Sequence, residues 1–491
     1  MMNNESRRTF VKKASAGIAT LSLQNVHAAI SQIGDANKEK LTPQVFFTTG
    51  SKTGEVTPNS AQLWIRLCGQ ENRNPVVHER RDEAPAPRHP LEFDEDMPVG
   101  KMDGAVGGAN GMVRAIISGN GKHFESAWSS ANVENDFTVQ IPFMGLDPGI
   151  RYEIKWQAKL SDSGPIAEAV ATFSTAPSVS EQKNIKFVTS TCQYFWSFDD
   201  LQRGFRTYDS MGKLNPDFFV HTGDYVYYDR PGPFGNTIEK ARHQWHAMNS
   251  WPSLVDFFSK VPIYMLKDDH DLLRDDAYPT SPDYGALSFE DGLKIWRENA
   301  PVKDSPYRTY RWGKHVQIWL VEGREFRSPN PVADSSDKTI WGEKQKTWFQ
   351  QTVEDSDATF KILFSPTPVV GPDRENKTDN HANKAFQHEG NWLRQYLSGQ
   401  KNMFVVNGDR HWQYVSVDEG AGLIEFGSGP VSDSHAQGWD PEDKRPEHRF
   451  LRVKGGFLEI GVVATETAPR IEFIHRDVDG LTVHQETFTA S

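Results

Sequence analysis

The chain has 491 residues, more than a single hydrophobic core usually holds, with the composition of a globular protein. Its 54 Lys and Arg against 66 Asp and Glu leave a net charge of −12, which excludes a general nucleic-acid binder and suits the holding of hard cations. No apolar run is long enough for a transmembrane segment, and two cysteines, Cys68 and Cys192, are too few for a disulfide framework.

The first stretch, "SRRTFVKKASAGIATLSLQNVHAAIS", joins an arginine pair to a mildly apolar run and a small-x-small site. It resembles a twin-arginine export signal spanning 1–28, with cleavage after Ala28 and a periplasmic or extracellular destination. Such a route carries folded proteins, so a metal can be inserted before export.

From 42 to 176 the chain is a series of short β-type runs, among them "SAQLWIRLC", "MVRAIISG", "DFTVQIPF" and "RYEIKWQAKL", separated by turn residues. This pattern predicts a small antiparallel sandwich. Residues 70–110 are rich in Pro, Gly and charge and read as a long mobile insertion.

After the linker "APSVSEQKN" the pattern changes, and a second domain is expected over 184–491. Buried strands are predicted at "IKFVTS", "DFFVHT", "PIYMLK", "VQIWLVE", "FKILFS" and "MFVVNG", with helical spacing over 199–213, 237–260, 287–299 and 344–356. The alternation predicts an α/β core, with further strands in the tail. The polar segment "SDSHAQGWDPEDKRPEH" reads as a surface loop, with a lid as the alternative.

Four predicted strands run straight into polar residues: "FVTSTCQ", "FFVHTGDYVYYD", "IYMLKDDHDLLRDD" and "FVVNGDRHWQY". Carboxyl ends of parallel strands converge on one crevice, so Cys192, Asp224, Tyr227, Asp268, Asp269, His270, Asp409 and His411 are expected to meet there. That many carboxylates repel one another unless cations neutralise them. Thiolate, phenolate and imidazole suit a transition ion, whereas Asp oxygens suit Ca, Mg or Mn. The residues therefore divide into Cys192, Tyr227 and His411 for one ion and Asp269 and Asp409 for the other, with Asp224 bridging. His221, ahead of the Thr-Gly-Asp turn, reads as a core histidine.

The blocks "GDYVYYD", "DDHD" and "GDRH", each after a strand and in this order, resemble the PhoD-like (alkaline phosphatase D) branch of the calcineurin-like metallophosphoesterases. The resemblance extends to "VFFTTGSKTGEVTPNSAQLWIRL", similar to the family's fibronectin-III-like N-terminal domain. It implies a metallophosphatase α/β/β/α sandwich preceded by that small all-β domain. It also implies Fe3+ beside Cys192, Tyr227 and His411 and Ca2+ beside Asp269 and Asp409, other divalent ions being compatible.

In the same likeness His270 is the catalytic contact to substrate phosphate; Arg324 and Arg327 of "GREFR" read equally as binders of that phosphate or as structural ion pairs. Asp268 reads as an N-cap or turn residue and Asp275 and Asp276 as a solvated charge pair, with all three candidates for an additional metal. The activity implied is hydrolysis of phosphomonoesters, phosphodiesters or both by metal-activated hydroxide, on a small molecule or a lipid or nucleotide diester, by a protein read as a monomer. Lys267, Glu322 and Gly323 depart from the family pattern near the substrate pocket. An alternative from a different class is a surface glycan- or partner-binding protein with structural metals, motivated by Trp64, Trp128 and Trp156.

Overall fold

The computed structural model describes residues 45–80, 90–303, 305–465 and 467–491; the expected export signal lies outside them. The core strands divide their side chains by strict alternation. Phe187, Phe218, Val220, Ile362, Phe364, Phe404 and Val406 enter one shared core, while Val188 and Phe219 face one helical layer and Leu363 and Val405 face another. This split builds two stacked sheets with helices on both outer faces.

Helices α1 (Arg206–Lys213), α2 (Ile238–Asn249), α3 (Pro252–Phe258) and α4 (Phe289–Asn299) pack on the first sheet, and α5 (Gly342–Glu354) and α6 (Gln387–Ser398) on the second. The result is the expected α/β/β/α sandwich. The expected helix over 237–260 is two helices, because Trp251 is extended and Pro252, lacking an N–H, opens α3. Helix α6 escapes sequence reading: its buried stripe is only Glu389, Gly390, Leu393 and Leu397.

In the first sheet the strands Ile185–Ser190, Phe218–His221 and Ile263–Met265 run parallel. In the second, Val316–Leu320, Phe360–Ser365 and Met403–Asn407 do the same. All deliver their following loops to one edge, which is what positions the site.

The N-terminal sandwich is present but not detached. Strands Ser51–Gly54, Ser60–Arg66 and Thr138–Met144 face a five-stranded sheet built on Gly111–Gly119, Arg151–Lys159 and Ala167–Ser174. The first three are also the end of the nine-stranded catalytic sheet, through the parallel pairing Gly54↔Ile263. Trp64 donates its indole N–H to the Glu298 carbonyl in α4 at 2.7 Å, locking the two regions together.

The 70–110 insertion is not a free loop over its described part. Met102, Ala105 and Val106 are buried, Arg73 stacks on Trp251 at 3.4 Å, and Asp103 accepts from His78. Glu95 accepts the N–H groups of Gly232 and Phe234, both at 2.9 Å, so the insertion clasps the loop that follows Tyr227. Trp64 and Trp156 are fully buried and Trp128 lies under Arg114 and Lys159, which removes the aromatic surface that motivated a glycan-binding reading.

A chain beginning at 177 would expose the edge of Ile263–Met265 and the apolar surface beneath the lost strands. It is expected to be recovered largely as aggregate, checked by size-exclusion chromatography, whereas separable domains would give a soluble catalytic half.

Candidate metal centre

Each site residue follows a parallel strand, and the chain reverses sharply there. Cys192, Asp224 and Asp409 adopt left-handed backbone with φ of 51°, 58° and 64°. A non-glycine residue held there costs about 1–3 kcal/mol, a cost characteristic of functional turns. Two neighbouring glycines make the turns possible: a Cβ on Gly223 would lie 2.7 Å from the Asp268 Cβ, and one on Gly408 would lie 2.5 Å from the Thr222 carbonyl oxygen. The Gly-Asp pairs of the two motifs are therefore steric requirements.

The Asp224 turn is held by Asp271, a residue sequence reading missed. Its carboxylate accepts the N–H groups of Asp224 at 2.8 Å, Tyr225 at 2.7 Å, Val226 at 3.1 Å and Asp268 at 3.0 Å. The repeated acidic pattern "DDHD" contains Asp271 but does not say which of its carboxylates faces the site.

The side chains converge. Cys192 Sγ lies 3.3 Å from Asp224 Oδ2, and the Tyr227 hydroxyl lies 3.2 Å from the same oxygen and 3.1 Å from His411 Nε2. On the other side, donor atoms of Asp224, Asp268 and Asp409, and of Asp224, Asp269 and His270, fall within 4.8 Å of one another. Asp224 thus belongs both to a soft set of sulfur, phenol and imidazole and to a hard set of carboxylates.

The polar atoms are incompletely satisfied without cations. Asp224 Oδ1 and Asp269 Oδ1 are buried and accept no hydrogen bond. Burial pushes the Asp224 carboxyl and the Cys192 thiol well above their ordinary ranges, with Asp409 adding to both. Burial also drives the His411 imidazole to its neutral form, the form that offers a lone pair. For Asp269 burial opposes charge, but Arg324, His270 and Lys377 outweigh it and hold the carboxylate ionised. Donor set and unmet acceptors fit a pair of ions.

Arg324 is fully buried, its Nε bonded to Asp268 and its far nitrogen 3.7 Å from Asp269 and 3.8 Å from Asp379. Arg327 is buried against the Asp379 carbonyl and the Phe386 ring. Arg324 is thus an internal counter-charge, one of the two roles open to it, while Arg327 bonds backbone carbonyls rather than a carboxylate. Asp268 is Arg324's partner, with one oxygen still free of hydrogen bonds. Asp275 and Asp276 are bridged by Lys377, at 3.3 and 3.1 Å.

His270 is oriented by Asp229, 2.7 Å from its Nδ1, and its ring lies 4.4 Å from that of Tyr227. His221 is buried, accepts from the Gly223 N–H at 3.4 Å and leaves Nε2 without a partner. The segment expected as a plain surface loop instead sends His435 inward, its Nε2 3.1 Å from the Tyr227 hydroxyl and its ring 4.3 Å from that of His411. A lone histidine in a polar, Pro- and Gly-rich stretch carries no signal that could have placed it.

Residues 187–454 match the family described as PhoD-like phosphatase. The chain belongs to the PhoD-like phosphatase family. It is thereby a metallophosphoesterase, with the sandwich that its layers display. Among solved structures, that of PhoD is similar at 16% sequence identity, with a TM-score of 0.68, over 91% of this chain and 90% of that one. The purple acid phosphatase PPD1 from yellow lupin (Lupinus luteus) seeds is similar at 10% identity, with a TM-score of 0.60, over 89% and 73%. No curated protein matches the chain.

Arg324→Ala would strip a buried counter-charge from Asp268 and is expected to lower stability by about 3–5 kcal/mol, read from a denaturant midpoint. A substrate-contact role would instead leave stability unchanged and raise KM alone.

Proposed function

We propose that this metallophosphoesterase is exported and hydrolyses phosphomonoesters, phosphodiesters or both, using Fe3+ held by Cys192, Tyr227 and His411 and Ca2+ held by Asp269 and Asp409. The observation that carries the reading is the position of Asp224, whose one carboxylate touches both the soft donors and the hard ones. Ions bound in such a pair supply Lewis acidity toward phosphoryl oxygens and acidify water.

The protein's own groups define the rest. Asp224 spaces the two donor sets, and Asp271 and Gly223 hold it in its strained turn. Burial works against a charged His270, but Asp229, Asp269 and Asp224 outweigh it and raise its pKa well above the ordinary imidazole value. With Asp229 fixing the ring through Nδ1, His270 is placed to donate to a phosphoryl oxygen or to the leaving oxygen. The net charge of −12 gives no long-range attraction for an anionic ester, so recognition falls to the site itself.

Export rests on the arginine pair Arg7 and Arg8 and the site at Ala28. N-terminal sequencing of protein recovered outside the cytoplasm is expected to begin near Ala29, and a mature form retaining Arg7 and Arg8 would overturn the export reading.

Elemental analysis with a visible spectrum tests the ions: a coloured, iron-containing protein that loses its band in Cys192→Ala and Tyr227→Phe is expected. A colourless zinc protein would overturn the iron assignment and leave the phosphoesterase standing. Paired chromogenic monoester and diester assays test the reaction. His270→Ala is expected to lower kcat by about 10²- to 10⁴-fold on whichever ester is turned over, the usual range for a general acid. Activity on neither ester would defeat the proposal.

A further inference from the structure

The connection between strands Leu423–Ser428 and His448–Arg452 touches all three residues that supply soft donors, a role the phosphoesterase reading leaves unassigned. The Val431 N–H donates to the Cys192 carbonyl at 3.4 Å and the Gln437 N–H to the His411 carbonyl at 3.2 Å. Between them His435 places its Nε2 3.1 Å from the Tyr227 hydroxyl. The segment is itself pinned: Thr207 donates to the Val431 carbonyl at 2.6 Å, Ser434 to the Ser197 carbonyl at 2.7 Å, and Asp433 accepts the Gly455 N–H at 2.9 Å. His435 is 2% exposed, its ring 5.0 Å from that of Tyr227, 4.3 Å from that of His411 and 6.3 Å from that of Tyr194.

We infer that His435 is a positioning residue for the soft site, donating its Nε2–H to the Tyr227 oxygen and so fixing that side chain in its ligand orientation. The inference rests on the proposed reading of Cys192, Tyr227 and His411 as ligands of one transition ion. Nδ1 of His435 is buried and has no hydrogen-bond partner among the described residues, so a proton there is unmatched, whereas a proton on Nε2 meets an oxygen. His435 is not itself one of the clustered donors: Cys192, Asp224 and His411 offer atoms within 4.8 Å of one another, and His435 joins no such group among the described residues. It acts through Tyr227. A phenolate there has the Asp224 carboxylate at 3.2 Å, and the Cys192 sulfur shares that carboxylate oxygen, so an N–H donor offsets a crowd of negative groups. Outer partners of this kind orient a ligand and tune the ion it holds.

The visible spectrum of the full chain, stripped of metal and reloaded with Fe3+, tests the bond. A donor on a phenolate oxygen draws electron density from it, so removing the donor lowers the energy of the phenolate-to-iron band. His435→Phe, which keeps a ring without the N–H, is therefore expected to absorb at longer wavelength than the unsubstituted protein. His435→Gln, whose amide keeps an N–H donor, is expected to move the band back. Fe3+ affinity, read by competition with citrate, is expected to fall about 10- to 100-fold in His435→Phe, the usual effect of removing an outer partner.

An unmoved band in a His435→Phe protein shown by thermal melt to be folded would overturn the inference. So would complete loss of iron at saturating Fe3+, which would make His435 a direct ligand. Nitrogen-15 shifts of the histidines in the metal-free chain, with the His435 signal assigned by its absence in His435→Gln, read the same bond without iron and decide the matter where His435→Phe fails to fold. The proton is expected on Nε2, and a proton on Nδ1 would overturn the inference. The same measurement separates the two readings: an unsubstituted protein that takes up no Fe3+ would defeat the iron assignment, while the position of the His435 proton would still decide its role.

Discussion

The buried carboxylate of Asp224 is the constraint around which the rest of the structure is organised. It sits in a left-handed turn, with one oxygen near a thiol and a phenol and the other without a hydrogen bond. An ionised carboxylate in that position is tolerable only with cations close by. The surroundings respond with charge at every range: Arg324 behind Asp268, Arg410 on Asp409 and Asp373, and Lys377 over Asp275 and Asp276. Much of the polar interior is thus a scaffold for acidic groups, and Arg324 belongs to that scaffold.

The same constraint explains how distant segments attach. The 70–110 insertion grips the loop after Tyr227 through Glu95, and Tyr194 bonds the Pro231 carbonyl in the same loop. The N-terminal sandwich extends the catalytic sheet rather than hanging from a linker. The strands and loops that carry the ligands are therefore braced from both sides, as strained turns require of their surroundings.

Much of the site was legible in the sequence for a local reason. Gly223-Asp224 and Gly408-Asp409 each follow an apolar strand, and a strand ending in a tight turn places its next polar side chains at the sheet's carboxyl edge. The alternation of apolar runs with stretches of helical spacing likewise marked the core strands and hence the layered fold. What escaped were residues whose role depends on distant partners. Asp271 looks like one more acid in a run, yet its carboxylate turns to the backbone and ties down four N–H groups. His435 and Lys377 lie in polar connections whose composition describes exposure, not direction.

Sequence alone determined the class of fold, the family resemblance and the residues that gather at the strand ends, because periodicity and turn chemistry act within a few neighbouring positions. Tertiary structure alone decided which carboxylates face the centre and which brace it, that Arg324 is an internal counter-charge, and that His435 and Lys377 reach inward. Those assignments rest on burial and on pairing across hundreds of residues, and in a buried acidic site the free energy of each charge is set by the partners the fold brings to it.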